Sequence, residues 1–431
     1  MLSFGGPAGQ ISVMHRILVE EKHWVSESRF LHALNYCMLL PGPEAQQLAT
    51  YLGWLMHGTL GGLTAGLLFV LPGFLSILGL SILYAGYQDL ALVQGIFYGL
   101  KPAVVAVVVE AVMRIGKRSL KNRTMIAIAA AAFVAIFFLE VPFPIIILAC
   151  GALGYLGGTL RPEIFVVIKG HRIETEETTR GPLLRDDATA SRPGMARTVR
   201  ILLVWLLIWW APVATIIAYT GRDSTYSKEA LFFSKTAMFT FGGAYSVLAY
   251  VADEAVDRYG WLEPREMLDG LGMAETTPGP LIQVVQFVGF MGAYREPGEL
   301  SPLAAGVAGS VITTWVTYAP CFLWIFLGAP YIEYLRGKQA LNAALSTITA
   351  AVVGVILNLS IWFALHTIFA SVAERHYGPV RLLVPEWETI DPMALGISIA
   401  ALIAMVRYKA GMIPTLAVSA AVGLAYYLIA A

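Results

Sequence analysis

The chain has 431 residues, no formal net charge, 57% apolar residues and 13% charged ones, about half the charged share of an ordinary soluble domain. With a mean hydropathy of +0.68, this composition describes a polytopic membrane protein and argues against a soluble domain or a nucleic-acid binder. Cys37, Cys150 and Cys321 stand far apart, without C-x-x-C or Cys/His spacing, which argues against a disulfide scaffold and a metal site.

Apolar segments are predicted near residues 1–19, 30–56, 59–85, 92–115, 124–139, 142–160 and 199–220, then 231–256, 267–294, 302–328, 340–369, 391–406 and 411–430. The fold class is therefore all-α, with about 12–13 membrane elements. The sequence opens on Ser3-Phe4-Gly5-Gly6-Pro7, without the basic and apolar regions of a cleavable signal peptide. Its first element is short, and its later counterpart is preceded by Ala230-Leu231-Phe232-Phe233. Either the start lies late, or this first helix only dips into the membrane. Residues 161–198 are polar, carrying Lys169, Arg172, Glu174, Glu176, Glu177, Arg180, Arg185, Asp186 and Asp187 with Gly181-Pro182 and Arg192-Pro193 as breakers.

The series repeats. Phe4-Gly5-Gly6 and Pro41-Gly42-Pro43 recur as Phe241-Gly242-Gly243 and Pro278-Gly279-Pro280, with 242 − 5, 261 − 24, 278 − 41 and 283 − 46 all equal to 237. Beyond, Leu71-Pro72-Gly73-Phe74 matches Ala319-Pro320-Cys321-Phe322 at 320 − 72 = 248, which places an insertion near Ala293 to Pro302. Two repeats with Gly/Pro breaks in apolar segments are the pattern of secondary transporters. The domains follow as a first repeat over 1–160, a cytoplasmic linker over 161–198, a connecting helix over 199–230 and a second repeat over 231–431.

Arg114, Lys117, Arg118, Lys121 and Arg123 have no acid among them and, with the basic linker, predict cytoplasmic loops. Seven elements from one Phe-Gly-Gly to the next make the repeats inverted; if the first element of each does not cross, the count is six and the repeats are parallel.

The breaks carry the expected chemistry. Proline removes a donor and glycine lets the backbone bend, so each Pro-Gly-Pro should end one half-helix and start another. A helix start in a membrane leaves backbone N–H groups that an anion can satisfy. Four such starts at about +0.5 charge each sum to roughly +2, which suits a dianion. The expected binding residues are Gly5, Gly6, Pro7, Gln10, Pro41, Gly42, Pro43, Gln46, Gly242, Gly243, Thr277, Pro278, Gly279, Pro280 and Gln283, with Thr276 nearby. The competing reading is that the glycines only permit close packing and the prolines only kink. Lys101 and Lys235 either add positive field or snorkel. Glu110 precedes Arg114 by four residues and reads as an ion pair. Glu44 is the first candidate for proton coupling, and Arg16 for a gate.

Phe4-Gly5-Gly6-Pro7-Ala8, Trp24, the stretch from Phe30 to Met38, Leu40-Pro41-Gly42-Pro43-Glu44-Ala45-Gln46-Gln47-Leu48-Ala49, and Gly61-Gly62 through Pro72-Gly73 together resemble the chromate ion transporter family; the second half resembles that family's other repeat. The resemblance covers nearly the whole chain apart from the linker. It implies a long-chain member that exports chromate across a bacterial inner membrane, with an inorganic oxyanion and lipid as partners, no nucleic acid, and an arrangement compatible with a homodimer. Family members usually have extra residues before Phe-Gly-Gly, and chromate is an isostere of sulfate, so sulfate or another oxyanion is the alternative cargo. An integral membrane enzyme acting on an anion is the alternative of a different class. No Walker A, metal-ligand cluster or cofactor fingerprint is present in the sequence, so no cofactor and no enzymatic activity are expected.

Overall fold

Helix after helix follows the apolar segments, interrupted where proline and glycine predict. The computed structural model describes residues 6–38, 40–88, 90–166, 194–241, 243–331 and 339–430. Gly5, Gly242 and most of the predicted linker, 167–193, lie outside them, and the side chains of Gly6 and Pro7 are likewise not described. In chain order the helices are α1 (Gly6–His15), α2 (Glu27–Cys37), α3 (Glu44–Tyr87), α4 (Ala91–Ser119), α5 (Arg123–Phe137), α6 (Phe143–Leu160), then, past a single helical turn at Pro162–Phe165 in the predicted linker, α7 (Met195–Thr220) and α8 (Thr225–Met238). There follow α9 (Ala244–Asp253), α10 (Pro264–Thr276), α11 (Val284–Arg295), α12 (Pro302–Gly328), α13 (Gln339–Ile368), α14 (Pro392–Arg407) and α15 (Met412–Ala430). Between α13 and α14 a hairpin pairs β1 (Val372–Tyr377) with β2 (Val380–Pro385), Tyr377 opposite Val380, around Gly378 at φ 63°.

Among the described residues, seven helices are long and apolar enough to cross a membrane: α3, α4, α6, α7, α12, α13 and α15. Helices α5 and α14 are shorter and apolar. Leu67, Leu68, Leu71 and Leu75 on α3 and Leu203 and Leu207 on α7 are exposed, an outward apolar face that suits lipid. This is an all-helical polytopic membrane protein.

Predicted segments that ran through a break are divided. Segment 30–56 becomes α2 and the start of α3, 231–256 becomes α8 and α9, and 267–294 becomes α10 and α11. The expected connecting helix over 199–230 is also two helices. Gly221, at φ 79°, ends α7, and the Ser224 hydroxyl accepts the Ser227 N–H at 3.2 Å to cap α8.

Backbone details keep the sequence offset. A π-helical turn at Arg16–Glu21 has a counterpart at Glu254–Arg258. Positive φ occurs at His23 (51°) and Gly260 (64°), and again at Gly42 (128°) and Gly279 (117°); each pair is 237 residues apart. Further on, α3 reverses at His57 and Gly58 (φ 64°), so that its two arms lie side by side, with Gly62 against the Thr50 carbonyl. In the second half the same place holds the longer turn between Arg295 and Pro302, which accommodates the insertion of 248 − 237 = 11 residues.

The chain forms two compact units, and each draws on both halves of the sequence. One takes residues within 1–78, 169–244 and 277–338, with a core of Phe30, Tyr36, Cys37, Leu48 and Tyr51 against Ile325 and Ala329. The other takes residues within 79–168, 245–276 and 339–431. There Met125, Ile128 and Ala132 of α5 and Ile146 of α6 pack on Ala350 and Ala351 of α13. Gly99 of α4 meets Gly423 of α15 backbone to backbone, the close approach that small residues allow between membrane helices.

Candidate anion site

Both Pro-Gly-Pro breaks belong to the first unit. Gly42 holds a backbone that side chains rarely adopt, and its N–H donates to the Thr240 carbonyl at 2.7 Å, just before Phe241-Gly242-Gly243. Gln47 Nε2 donates to the Pro41 carbonyl at 2.8 Å, so the first turn of α3 satisfies the carbonyl left by the break. The first backbone bond inside α3 runs from Gln47 N–H to the Pro43 carbonyl at 3.0 Å. The amides of Ala45 and Gln46 therefore precede it and have no acceptor within the helix.

The second break is built alike. Gln10 Nε2 donates to the Gly279 carbonyl, and Gln283 N–H to the Pro280 carbonyl at 2.9 Å, which leaves the amides of Leu281 and Ile282 ahead of the first turn. Gly73 of α3 lies against the break, where a Cβ would come within 3.0 Å of the Pro278 carbonyl. On the other side, a Cβ on Gly42 would come within 2.7 Å of Cys321 Sγ on α12. Since Gly42 corresponds to Gly279 and Gly73 to Cys321 in the repeat, the two contacts are reciprocal. Each half's second hairpin arm covers the other half's break.

Several neutral amides are buried around the breaks. Gln10, Gln46, Gln47, Gln283 and Gln286 are all buried. Gln46 Nε2 donates to Thr50 Oγ1 at 3.1 Å, and the side-chain oxygens of Gln10, Gln46 and Gln47 have no hydrogen-bond partner. Gln283, expected to act like Gln46, is engaged differently. Its Nε2 donates to Gln286 Oε1 at 2.5 Å and to Thr314 Oγ1 at 3.2 Å, while its Oε1 accepts from the Tyr318 hydroxyl at 2.8 Å. Gln286 Nε2 in turn donates to the Phe74 carbonyl at 3.0 Å. Pro43 and Pro280 are buried, and Thr277 and Pro278 half-buried.

The ionisable candidates fall in different places. Glu44 opens α3, half-buried. Arg16 is exposed in the π-helical turn, its Nε 3.5 Å from Glu21, and Lys235 is exposed on α8. In the second unit Glu110 pairs with Arg114 at 3.5 Å. Lys101 Nζ lies 3.2 Å from Asp269 Oδ2, which also accepts from the Tyr84 hydroxyl at 2.8 Å. This pair borders a cavity of about 460 Å³ that Tyr98, Glu266, His366 and Asp391 also line. Lys101 thus has a carboxylate partner, an arrangement between the two expected alternatives.

Four buried acids among the described residues were not singled out from sequence: Glu266, whose Oε2 accepts from the Glu263 N–H at 2.8 Å, Asp269, Glu275, which accepts from the Tyr245 hydroxyl, and Glu229. In sequence each looks like one polar residue of an amphipathic helix end, because only packing shows that its face is covered. An acid within a segment that otherwise continues an apolar run is the one signal that could have found them.

The family profile for chromate transporters matches residues 1–155 and 228–424. A chromate transport protein of Cupriavidus metallidurans is 28% identical over 409 residues, 94% of this chain and 90% of its own. One of Pseudomonas aeruginosa is 32% identical over 364 residues, 83% and 76%. An uncharacterized transporter of Bacillus subtilis is 28% identical over 167 residues, 38% of this chain but 85% of its own length. No solved structure matches. With the profile covering both halves around their breaks, this multi-pass membrane protein belongs to the chromate transporter family.

Proposed function

We propose that the chain is a secondary transporter that exports chromate across a bacterial inner membrane and holds the dianion at the helix starts behind its Gly-Gly and Pro-Gly-Pro breaks. The observation that carries this reading is the gathering of both Pro-Gly-Pro breaks in one unit, each with helix-start amides that precede the first backbone bond and with buried glutamine side chains. The names of the curated relatives support transport over catalysis. Partial positive charge at helix starts stabilises a dianion without a fixed cation that would bind it too tightly to release. Moving two negative charges out of a negative-inside cell releases roughly 2 × 2.3 kcal/mol per 100 mV, so export needs no ATP.

The reciprocal contacts of Gly42 with Cys321 and of Gly279 with Gly73 support two repeats related by a two-fold axis, since only such an operation makes contacts mutual. An odd number of elements and the basic loops support an axis in the membrane plane, that is, inverted repeats, over the parallel arrangement that six elements would give. With residues 161–198 inside, α7 crosses outward. The turn at Gly221–Ser224 then faces outside, together with the one at Glu296–Ser301, because Thr225 donates to Glu296 and the Tyr226 hydroxyl to the Pro297 carbonyl.

The test is radiolabelled chromate accumulation in inverted vesicles under an imposed potential, with sulfate as competitor. Accumulation that excess sulfate barely affects supports chromate export. Preferred transport of sulfate shifts the assignment to general oxyanion traffic, and no flux of either ion removes it. Glu44 opens α3 directly behind the first break, where a carboxylate meets the arriving dianion. Glu44→Gln is expected to lower the KM for chromate at fixed pH; an unchanged KM would take Glu44 out of the site.

A further inference from the structure

Glu229 is fully buried in α8, and apart from the Ala293 backbone its carboxylate oxygens have no hydrogen-bond partner among the described residues. It lies against the Ala293 backbone of α11, and a Cβ on Gly309 of α12 would sit 3.0 Å from its Oε2. A lone ionised carboxylate in a water-poor interior is expensive and persists only where a function needs it.

Two polar paths meet at this residue. Outward, Thr225 is one helical turn away and donates to the exposed Glu296. Inward, residues 283, 286, 289 and 293 share one face of the α11 helical run at i, i+3 and i+4 spacing. Gln283 and Gln286 come first on that face, then the small residues Gly289 and Ala293 make room. The buried Thr313 hydroxyl, without a partner of its own, lies against Gly289, and Ser310 Oγ donates to the Gln286 carbonyl at 3.5 Å. Ten residues at 1.5 Å each put the Glu229 end of this seam about 15 Å from Gln283 and the Pro278-Gly279-Pro280 break. The whole path lies within the first unit.

We infer that Glu229 carries a proton that moves together with the anion. The proposal rests on the anion site of the preceding reading. An ionised Glu229 and a dianion at the break repel each other along a seam of dipoles with little water, so the anion favours the neutral acid. Each cycle moves one proton from water to a Glu229 oxygen and returns it to water when the anion leaves, with no other bond made or broken. The charged group acting on Glu229 from a neighbouring segment is Glu296, with Arg295 beside it in sequence. Its own helix contributes Lys228 and Tyr226. Gly289 and Ala293 of α11, Gly309 and Thr313 of α12, and Ile216 of α7 do not titrate.

The consequence is electrical: one proton with each dianion leaves one net charge moved, and removing the carboxyl leaves two. The experiment measures the reversal potential of chromate flux in proteoliposomes at a series of imposed potentials and pH gradients. Wild-type protein should move one charge per chromate and respond to a pH gradient at zero potential. Glu229→Gln should move two and ignore that gradient, and Glu229→Asp, which keeps the carboxyl, should restore the response. Two charges per chromate in the wild type overturn the proposal without recourse to any variant and leave chromate transport standing. An unchanged ratio in Glu229→Gln also overturns it. No chromate flux in the wild type removes the underlying transport reading instead.

Discussion

Gly279→Ala is expected to reduce the initial rate of chromate uptake into inverted vesicles more than tenfold while leaving the protein inserted in the membrane. Two effects add. The backbone at φ 117° is strained for any side chain, which costs about 1–3 kcal/mol. The new Cβ would also stand 2.8 Å from Gly73 Cα, so the second arm of α3 must move away from the break it covers. Every 1.4 kcal/mol is tenfold in an equilibrium constant, so the strain alone brings the effect near that size. Gly58→Ala is the control: its φ of 64° carries similar strain, but no described atom lies within 4 Å of the added Cβ. Equal rates in Gly279→Ala and wild type would remove the break from the transport site. Equal losses in both variants would reduce its role to backbone strain.

Lys101→Met should be the most destabilising of the single substitutions considered. Asp269 is buried, and its Oδ1 already lacks a hydrogen-bond partner, so Lys101 supplies the only countercharge within ion-pair distance among the described residues. Stripping the partner from a buried carboxylate costs about 3–5 kcal/mol. The Lys101 side chain is 22% exposed and borders a cavity that admits water, which points to the lower end of that range. A fall of several degrees in the thermal midpoint of detergent-solubilised protein is the expected reading. Lys101→Met combined with Asp269→Asn should recover most of it, because the lone charge is then gone. A midpoint unchanged in the single variant would show that the pair contributes nothing, and a double variant no better than the single one would show that packing, not charge, is at stake.

Composition together with the length of the apolar runs determined that this is a helical membrane protein, since only helices and closed barrels satisfy the backbone in a bilayer and runs near 20 residues suit helices. The breaks were legible for the same reason. Proline and glycine act through their own covalent structure, and at Gly42 and Gly279 the sequence pattern became the same left-handed backbone twice. Segment ends were less legible. Ser224 capped a new helix within the supposed connecting one, whereas the gap left between segments 30–56 and 59–85 is where α3 turns back, at His57 and Gly58.

Tertiary structure decided what lies against what. Nothing in a 237-residue offset says that Gly42 meets Cys321 while Gly279 meets Gly73, or that Gln283 spends its amide on Gln286 and Thr314. Those pairings depend on how the two halves interleave within one unit, a long-range choice that local periodicity does not encode. The buried acids show the same division. Glu229, Asp269 and Glu275 are ordinary letters in amphipathic stretches until a neighbouring helix removes their water, and only then does their charge become costly enough to serve a function.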